Sequence, residues 1–251
     1  MRRLAAFTAS FALGIYLAQY LLPAEHLLPL AAGCFAAACL ALLLPGLWRK
    51  RALLIGTGLA LALGWNWLYG YAVRDPLVGL SGRSGTASMT LLEYAVPTDY
   101  GAKTTVKLNG YPLGKVVYYG GEDLLDLRPG QTVTAQVKFQ DAARLREDTI
   151  TNFTSQGVFL LAYQRGEDAV YGEGSAGSPR WWPARAARAM QDHVAELFGG
   201  DEAAFLSAIL TGDTSGLSEE ARSDLSEAGL SHILAVSGMH CGFLMTLILL
   251  V

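Results

Sequence analysis

Three long uncharged stretches at the start of the chain constrain its fold more than any other feature. They span Leu4–Leu22, Leu27–Trp48 and Ala52–Val73, and each is close to the roughly 20 residues that an α-helix needs to cross a bilayer. Charged residues make up only 16% of the chain, against about 25% in an average soluble domain. A secretory signal peptide is the alternative for the first stretch, but its apolar run is too long and two more runs follow. The sequence therefore predicts three transmembrane helices within residues 1–73.

Basic residues around these stretches predict their orientation. Arg2 and Arg3 precede the first stretch, and Arg49–Arg51 lie between the second and the third. The connection between the first and the second contains neither Lys nor Arg. Because Lys and Arg favour the cytoplasmic side of a membrane, the N-terminus and a turn at Arg49–Arg51 are predicted to be cytoplasmic. The segment after Val73 is then external.

Residues 74–178 differ from the preceding region, because short runs rich in Val, Thr and Tyr alternate with turn residues. In Thr132–Phe139 every second residue is apolar, which is the pattern of a half-buried strand. Five such runs, with a short helix ending at Gly157 before the last one, predict a small antiparallel barrel of the OB type. The predicted fold class is a membrane α-helical protein with an inserted small all-β, OB-like external domain.

The predicted barrel carries lysines and tyrosines of the kind that contact single-stranded nucleic acids. Basic side chains bind the phosphates in such barrels, and aromatic rings stack on the bases. Residues 82–172 contain nine Lys and Arg but ten Asp and Glu, so the segment has no overall basic bias. Solvated strand faces with tyrosines at the rim therefore stay open as the alternative. The candidate DNA-binding residues are Lys103, Lys107, Lys115, Tyr118, Tyr119 and Lys138.

Residues 179–230 are predicted to form interfacial or connecting helices. The first begins with arginines next to Trp181 and Trp182, a composition typical of a helix at a membrane surface. An amphipathic helix packed on protein is an equally good interpretation. Two shorter helices follow, one ending at Gly212 and one running from a Ser218 N-cap to Gly229. The glycine-rich joint between them lacks the lysine of a phosphate-binding loop, which argues against nucleotide binding there.

Residues 231–251 form a fourth apolar stretch, which carries small and polar residues. On a helix, the small residues share one face on which a partner helix can pack closely. The polar residues form a neighbouring stripe that is costly against lipid, so we expect it to face protein or a water-filled path. A metal pair of His232 and His240 is the alternative, but they lie about two turns apart and no carboxylate shares the stretch. The residues of this channel or helix-packing motif are Ser231, His232, Ala235, Ser237, Gly238, His240 and Gly242.

Residues 208–244 resemble the entry to the competence region of the ComEC family, inner-membrane proteins of DNA uptake in transformation. Gly212–Leu217 follow the family's form GD-x-SGL, and Gly229–Gly242 follow its form GLSHLLAVSGLH-x-G. Met239 stands in place of a leucine, and Cys241 stands where an aliphatic residue is common. The N-terminal part is similar more loosely, with membrane spans before an external OB-like domain.

The resemblance implies a channel that passes single-stranded DNA into the cytoplasm, with the OB-like domain near its entrance. Residues 231–251 would be the first transmembrane helix of the channel core, truncated in this chain. The implied location is the cell (inner) membrane, which the chain crosses several times. The implied partners are single-stranded DNA, the lipid bilayer and other competence proteins, and homo-oligomerisation is left open.

Full-length members of the family often carry a metallo-β-lactamase-like domain that is proposed to be a nuclease. This chain has no His-x-His-x-Asp run of the kind that holds metal in such a domain. We therefore expect that it is not an enzyme, with no catalytic residue, metal site or cofactor. We also expect that it is the N-terminal part of a longer membrane protein.

Two other functions are compatible with the same residues. A small-solute or metal transporter would use the β-domain only as a structural cap, and an envelope protein would use it to bind a sugar or a protein. Binding of single-stranded DNA by residues 74–178, weakened steeply by salt, separates both of these from DNA transport.

Overall fold

A computed structural model describes residues 2–43, 45–144, 152–214 and 216–230. Contacts within the chain divide it into two compact units. The first comprises Met1–Gly85, Lys107–Val117 and Val137–Tyr163. The second comprises Thr86–Val106, Tyr118–Gln136 and Gln164–Val251. Each unit combines helices with parts of one β-sheet.

Three long apolar helices open the chain, and all three predicted helices are confirmed as helices. A 3-10 turn at Ala41–Leu43 extends the second helix. A π-helical turn at Gly70–Arg74 joins the third helix to a short fourth one, so this helical stretch continues past the predicted Val73. The helices are α1 (Arg2–Tyr20), α2 (Ala24–Leu40), α3 (Gly46–Tyr69) and α4 (Asp75–Val78).

Two of these helical stretches are long and apolar enough to cross a membrane. Ala24–Leu43 has a mean hydropathy of 2.0, and Trp48–Val78 has a mean hydropathy of 1.3. The third apolar helix, Leu4–Tyr20, is shorter than these two. Large apolar side chains such as Phe35 and Trp65 are exposed on the helices, which is typical of a surface that contacts lipid or a partner. These features favour a membrane location.

Small residues let α1 and α2 pack closely on α3. A Cβ atom added at Gly14 of α1 would come within 2.6 Å of the Ala62 Cβ of α3. One added at Gly56 of α3 would come within 2.8 Å of the Ala38 Cβ of α2. Membrane helices associate through such small residues, because lipid tails provide no hydrophobic drive between helices.

The break between α2 and α3 lies earlier than the sequence predicts. Arg49–Arg51 were expected to form the turn, but they lie in the first turns of α3. Pro45 is the N-cap of α3, and Gly46 has a φ of 55°. Proline fits at a helix start because it has no N–H to donate, and glycine adopts a positive φ without strain. The prediction of a turn at the basic residues is therefore wrong, although they remain at the N-terminal end of α3.

Six strands form the sheet, and five of them correspond to the predicted runs. Their order is β1-β5-β6-β4-β3-β2, and β1 also pairs with β3, which closes a ring of five strands. The short β2 is an added strand that pairs antiparallel with β3. This closed five-stranded barrel fits the predicted OB-like fold. The strands are β1 (Ser84–Leu91), β2 (Val96–Thr98), β3 (Gly101–Leu108), β4 (Lys115–Gly120), β5 (Thr132–Asp141) and β6 (Val158–Gly172).

Alternation along the strands builds the barrel core. In β5, the predicted apolar positions from Val133 to Phe139 are buried, and the positions between them are partly or fully exposed. The short helix α5 (Asn152–Ser155) precedes β6, and Gly157 follows it with a φ of 76°. The predicted helix before the last strand is thus confirmed over these residues. β6 is longer than the predicted run and continues past Gly166.

Within the first unit, the end of the third helical stretch packs against residues of the barrel. The Tyr69 ring meets the edge of the Phe159 ring at a centroid distance of 5.9 Å. Leu77 is only 1% exposed, and a Cβ atom at Gly114 would overlap its side chain. Trp48–Val78 has 31 residues, which is about 46 Å at a rise of 1.5 Å per residue. This exceeds the roughly 30 Å of hydrocarbon in a bilayer, so its end can contact the barrel from outside the lipid.

Three further helices follow the barrel in the second unit. They are α6 (Trp182–Leu197), α7 (Gly200–Thr211) and α8 (Glu219–Glu227). Gly212 ends α7 with a φ of 80°, and Ser218 starts α8 by accepting a hydrogen bond from Ala221 N on its Oγ at 3.1 Å. The predicted C-terminal and N-terminal residues of these two helices are confirmed.

Candidate functional site

The four lysines expected to contact DNA lie at outward positions of three strands and are called the strand lysines below. β3 and β4 are neighbours in the sheet, whereas β6 separates β5 from β4. The structure therefore brings three of the lysines onto adjacent strands and leaves Lys138 apart. Lys107 is partly buried and the others are exposed. The strand lysines are Lys103 and Lys107 in β3, Lys115 in β4 and Lys138 in β5.

The two tyrosines of the same prediction differ in burial. Tyr119 is partly buried. Tyr118 is 0% exposed, and its hydroxyl donates a hydrogen bond to Gln164 Oε1 at 2.6 Å. Burial, with a smaller contribution from Tyr171, raises the pKa of Tyr118, so the hydroxyl stays protonated. Tyr118 therefore belongs to the core, and its ring is not available to stack on a base.

A groove in the second unit gathers three arginines from two segments that lie far apart in the sequence. It has a volume of about 370 Å³ and lies between the β1–β2 connection, the segment before β5 and one face of α6. We call it the arginine groove. Its lining residues are Tyr94, Leu125, Asp126, Leu127, Arg128, Arg185, Arg188, Ala189 and Asp192.

Hydrogen bonds to β3 and β1 fix the two loops of the arginine groove. Next to Tyr94, the Glu93 carbonyl accepts from Thr104 Oγ1 at 2.9 Å, and Glu93 Oε1 accepts from Thr105 N at 3.1 Å. Arg128 N donates to Gln131 Oε1 at 2.7 Å, within a turn whose Gly130 N donates to the Leu91 carbonyl at 2.8 Å. The backbone positions of Tyr94 and Arg128 are thus tied to the sheet.

A buried tryptophan fixes the third wall of the groove. Trp181, just before α6, is 8% exposed, and its Nε1 donates to Ser175 Oγ at 3.3 Å. It lies so close to Gly130 that a Cβ atom there would overlap its ring. Gly130 has a φ of 92°, so the position favours glycine for its backbone conformation as well. Because Trp181 anchors the start of α6, Arg185 and Arg188 lie on the helix face toward the groove, one turn apart.

The charges of the arginine groove are only partly paired. Arg188 Nε bonds Asp192 Oδ1 at 3.2 Å, and its guanidinium carbon lies 5.7 Å from the centre of the Tyr94 ring. Arg185 Nε is buried and has no hydrogen-bond partner among the residues that the structure describes. Three arginines and two aspartates line the groove, which gives it a formal charge of +1. A buried donor without a partner costs about 1–3 kcal/mol, and the described protein atoms leave this one unsatisfied.

Such a groove can bind an anion and a flat ring together. Guanidinium groups donate paired hydrogen bonds to carboxylates and phosphates, and they also stack on aromatic rings. From the sequence alone, Arg185 and Arg188 belong to the basic start of a helix that lies at a membrane surface or packs on protein. The signal that could have found the groove is weak, because its walls come from three segments far apart in the sequence.

The loop between α7 and α8 is held by side-chain hydrogen bonds. Gln191 Nε2 donates to Thr211 Oγ1 at 3.0 Å and to Asp213 Oδ2 at 3.2 Å. Ser218 Oγ donates to Asp201 Oδ2 at 2.9 Å. These bonds tie the loop to α6 and α7, which is a structural role.

The motif predicted for residues 231–251 lies outside the described residues. Its members are Ser231, His232, Ala235, Ser237, Gly238, His240 and Gly242. In the described part of the chain, no group of three or more His, Cys, Asp or Glu side chains could hold a metal ion.

One family model matches the C-terminal part of the given sequence. A family model described as Competence, competence protein, matches residues 209–251. The match supports a role in competence. It begins near the end of α7 and includes α8, so it lies beyond the barrel and the arginine groove. No curated protein matches the chain, and no solved structure matches it either.

Proposed function

We propose that this chain is the N-terminal part of a membrane channel that takes up single-stranded DNA during natural transformation. The observation that carries the proposal is the competence match at residues 209–251. The chain moves the DNA and does not hydrolyse it. Its partners are single-stranded DNA, the bilayer and other competence proteins.

The architecture supports this proposal in two ways. Two helical stretches are long and apolar enough for a bilayer, and the α1–α3 helices pack through small residues as membrane helices do. The barrel fits an OB-like fold, which is widely used to bind single strands. A membrane anchor with a small barrel suits a protein that receives a strand before it enters a channel.

The proposed orientation follows from the basic residues. Arg2, Arg3 and Arg49–Arg51 flank the first three helices on one side, which the positive-inside rule assigns to the cytoplasm. The barrel then lies outside, in the multi-pass topology of an inner-membrane protein. Incoming DNA would meet the barrel before residues 231–251.

A histidine substitution in the matched region tests the proposed function. The full-length gene carrying His240→Ala would replace the native gene in a naturally transformable host, and transformants per unit DNA would be counted. We expect uptake to fall about tenfold, since a polar contact between membrane helices contributes about 1–2 kcal/mol and tenfold corresponds to 1.4 kcal/mol. The protein should still insert in the membrane, as checked by immunoblot.

The matched control is His193→Ala, because His193 is an exposed residue of α6 whose Nδ1 lies 3.5 Å from Glu196 Oε2. We expect its uptake to equal that of the native protein. A host that lacks the gene and still transforms normally would exclude DNA uptake, and a solute transporter or an envelope-binding protein would become the better interpretation.

A further inference from the structure

We propose that the arginine groove is a binding site for a phosphodiester group of single-stranded DNA. Arg128, Arg185 and Arg188 bind the phosphate, and Tyr94 stacks on the adjacent base. The inference rests on the proposed function and gives the strand a defined point of contact on the external part of the chain.

Arg185 lines the groove, and its guanidinium is incompletely paired. Its Nε is buried and finds no acceptor in the described part of the protein. The groove around it is open and has room for a phosphate, at about 370 Å³. A phosphate oxygen in the groove would accept from the terminal nitrogens of the Arg185 guanidinium, and a bond between two charged groups is stronger than one between neutral groups.

Arg188 places a second guanidinium in the groove, beside the Tyr94 ring. Its guanidinium lies 5.7 Å from the centre of the Tyr94 ring and also bonds Asp192 at 3.2 Å. A guanidinium has five donors, so Arg188 can keep this carboxylate and still bind a phosphate oxygen. The partly buried Tyr94 ring would then lie beside the sugar and base that follow the phosphate.

The charge of the groove favours a strand over a lipid surface. Attraction to an anionic membrane grows with the number of basic residues near the surface, by about 1 kcal/mol for each. Asp126 and Asp192 reduce the formal charge of the groove to +1. A concave site with one excess positive charge suits a single phosphate, and an aromatic ring at its edge suits a base.

Equilibrium binding of an oligonucleotide to the full chain tests the site. The chain would be placed in phosphatidylcholine nanodiscs, and fluorescein-labelled oligothymidylate would be titrated at about 50 and 200 mM salt. We expect the double variant Arg185→Gln, Arg188→Gln to weaken binding about tenfold or more, since losing a hydrogen bond to a charged group weakens an equilibrium constant by about that factor. The slope of log K against log salt should also fall by about 0.7 for each lost phosphate contact.

Arg83→Gln with Arg165→Gln is the matched control, because it removes two exposed arginines outside the groove. We expect it to leave affinity and salt slope unchanged. The thermal unfolding midpoint of the Arg185→Gln, Arg188→Gln variant should stay close to that of the native chain, because the exposed Arg188–Asp192 pair contributes less than about 1 kcal/mol and the Arg185 Nε has no described partner to lose. Weaker binding then cannot be ascribed to unfolding.

Two results would overturn the site. Equal oligonucleotide affinity in the groove variant and in the control pair would mean that the groove does not bind DNA. If the groove variant loses only its association with phosphatidylglycerol vesicles and keeps its DNA affinity, the phosphate bound there belongs to a lipid headgroup.

The proposed function can fail separately from this inference. If the groove binds the oligonucleotide but a host lacking the gene transforms normally, the binding site is supported and the role in DNA uptake is excluded. If the gene is required for uptake and the groove variant binds the oligonucleotide like the native chain, the role in DNA uptake is supported and the binding site is excluded.

Discussion

The strand lysines and the arginine groove are both basic, but they differ in how their charges are arranged. Lys103, Lys107 and Lys115 point outward from neighbouring strands, and Lys138 lies on a strand further round the barrel. In the groove, three guanidinium groups from two segments line one cavity with an aromatic ring. A lysine ammonium is strongly hydrated and flexible, whereas a guanidinium is planar and binds phosphate with paired bonds.

The number of basic side chains is therefore a weaker indication of a binding site than whether they line the same cavity. Exposed lysines keep their water and interact through solvent, where salt screens charges over about 8 Å at physiological ionic strength. Arg185 is partly buried, whereas Arg128 and Arg188 are exposed, but all three line the same cavity. We therefore expect the groove to account for most of the affinity for DNA.

The largest effect is expected from the aromatic side of the groove. Tyr94→Ala should weaken oligonucleotide binding about tenfold or more, because a base stacked on an aromatic ring contributes about 1–3 kcal/mol. Tyr94→Phe keeps the ring and should bind like the native chain. Tyr100→Ala is the matched control, since Tyr100 is 99% exposed and is not part of the groove lining. Equal losses in Tyr94→Ala and Tyr100→Ala would remove the distinction between groove and surface.

A smaller effect is expected from the strand lysines. We expect their replacement by Gln at all four positions to weaken binding less than about threefold at 0.15 M salt, because exposed charges are screened under these conditions. The salt slope should stay close to that of the native chain. A loss as large as that of the Arg185→Gln, Arg188→Gln variant would show that the strands contribute as much as the groove. Fluorescence anisotropy measures both variants on the same oligonucleotide.

Much of the barrel could be predicted from the sequence, because each strand carries its own signal. The alternation in Thr132–Phe139 marks β5, and Gly157 marks the end of the helix before β6. β4 was harder to interpret, since its run of apolar and aromatic residues does not show which side faces the core. Tyr118 is therefore a DNA-binding candidate by sequence, although its side chain lies in the core.

The number of N-terminal helices could be predicted from the sequence, but the residues at which they begin and end could not be placed as well. Charge indicated a turn at Arg49–Arg51, whereas the backbone breaks at Pro45 and Gly46. The π-helical turn at Gly70–Arg74 extends the third helical stretch, and no sequence pattern signals such a turn reliably. The sequence carries only a weak signal for the arginine groove, because Tyr94, Arg128 and Arg185 meet only after the barrel and α6 have formed.

Site-specific photocrosslinking tests most directly where the DNA contacts this chain. A benzoylphenylalanine would replace Leu125, which is 39% exposed at the rim of the groove, or Leu113, which is 66% exposed in the turn between β3 and β4. Each full chain in nanodiscs would be irradiated with labelled single-stranded DNA. We predict a strong crosslink from position 125 and a weak one from position 113. Strong crosslinking from position 113 and none from position 125 would contradict the account, because it would place the strand on the lysine-bearing strands instead of in the groove.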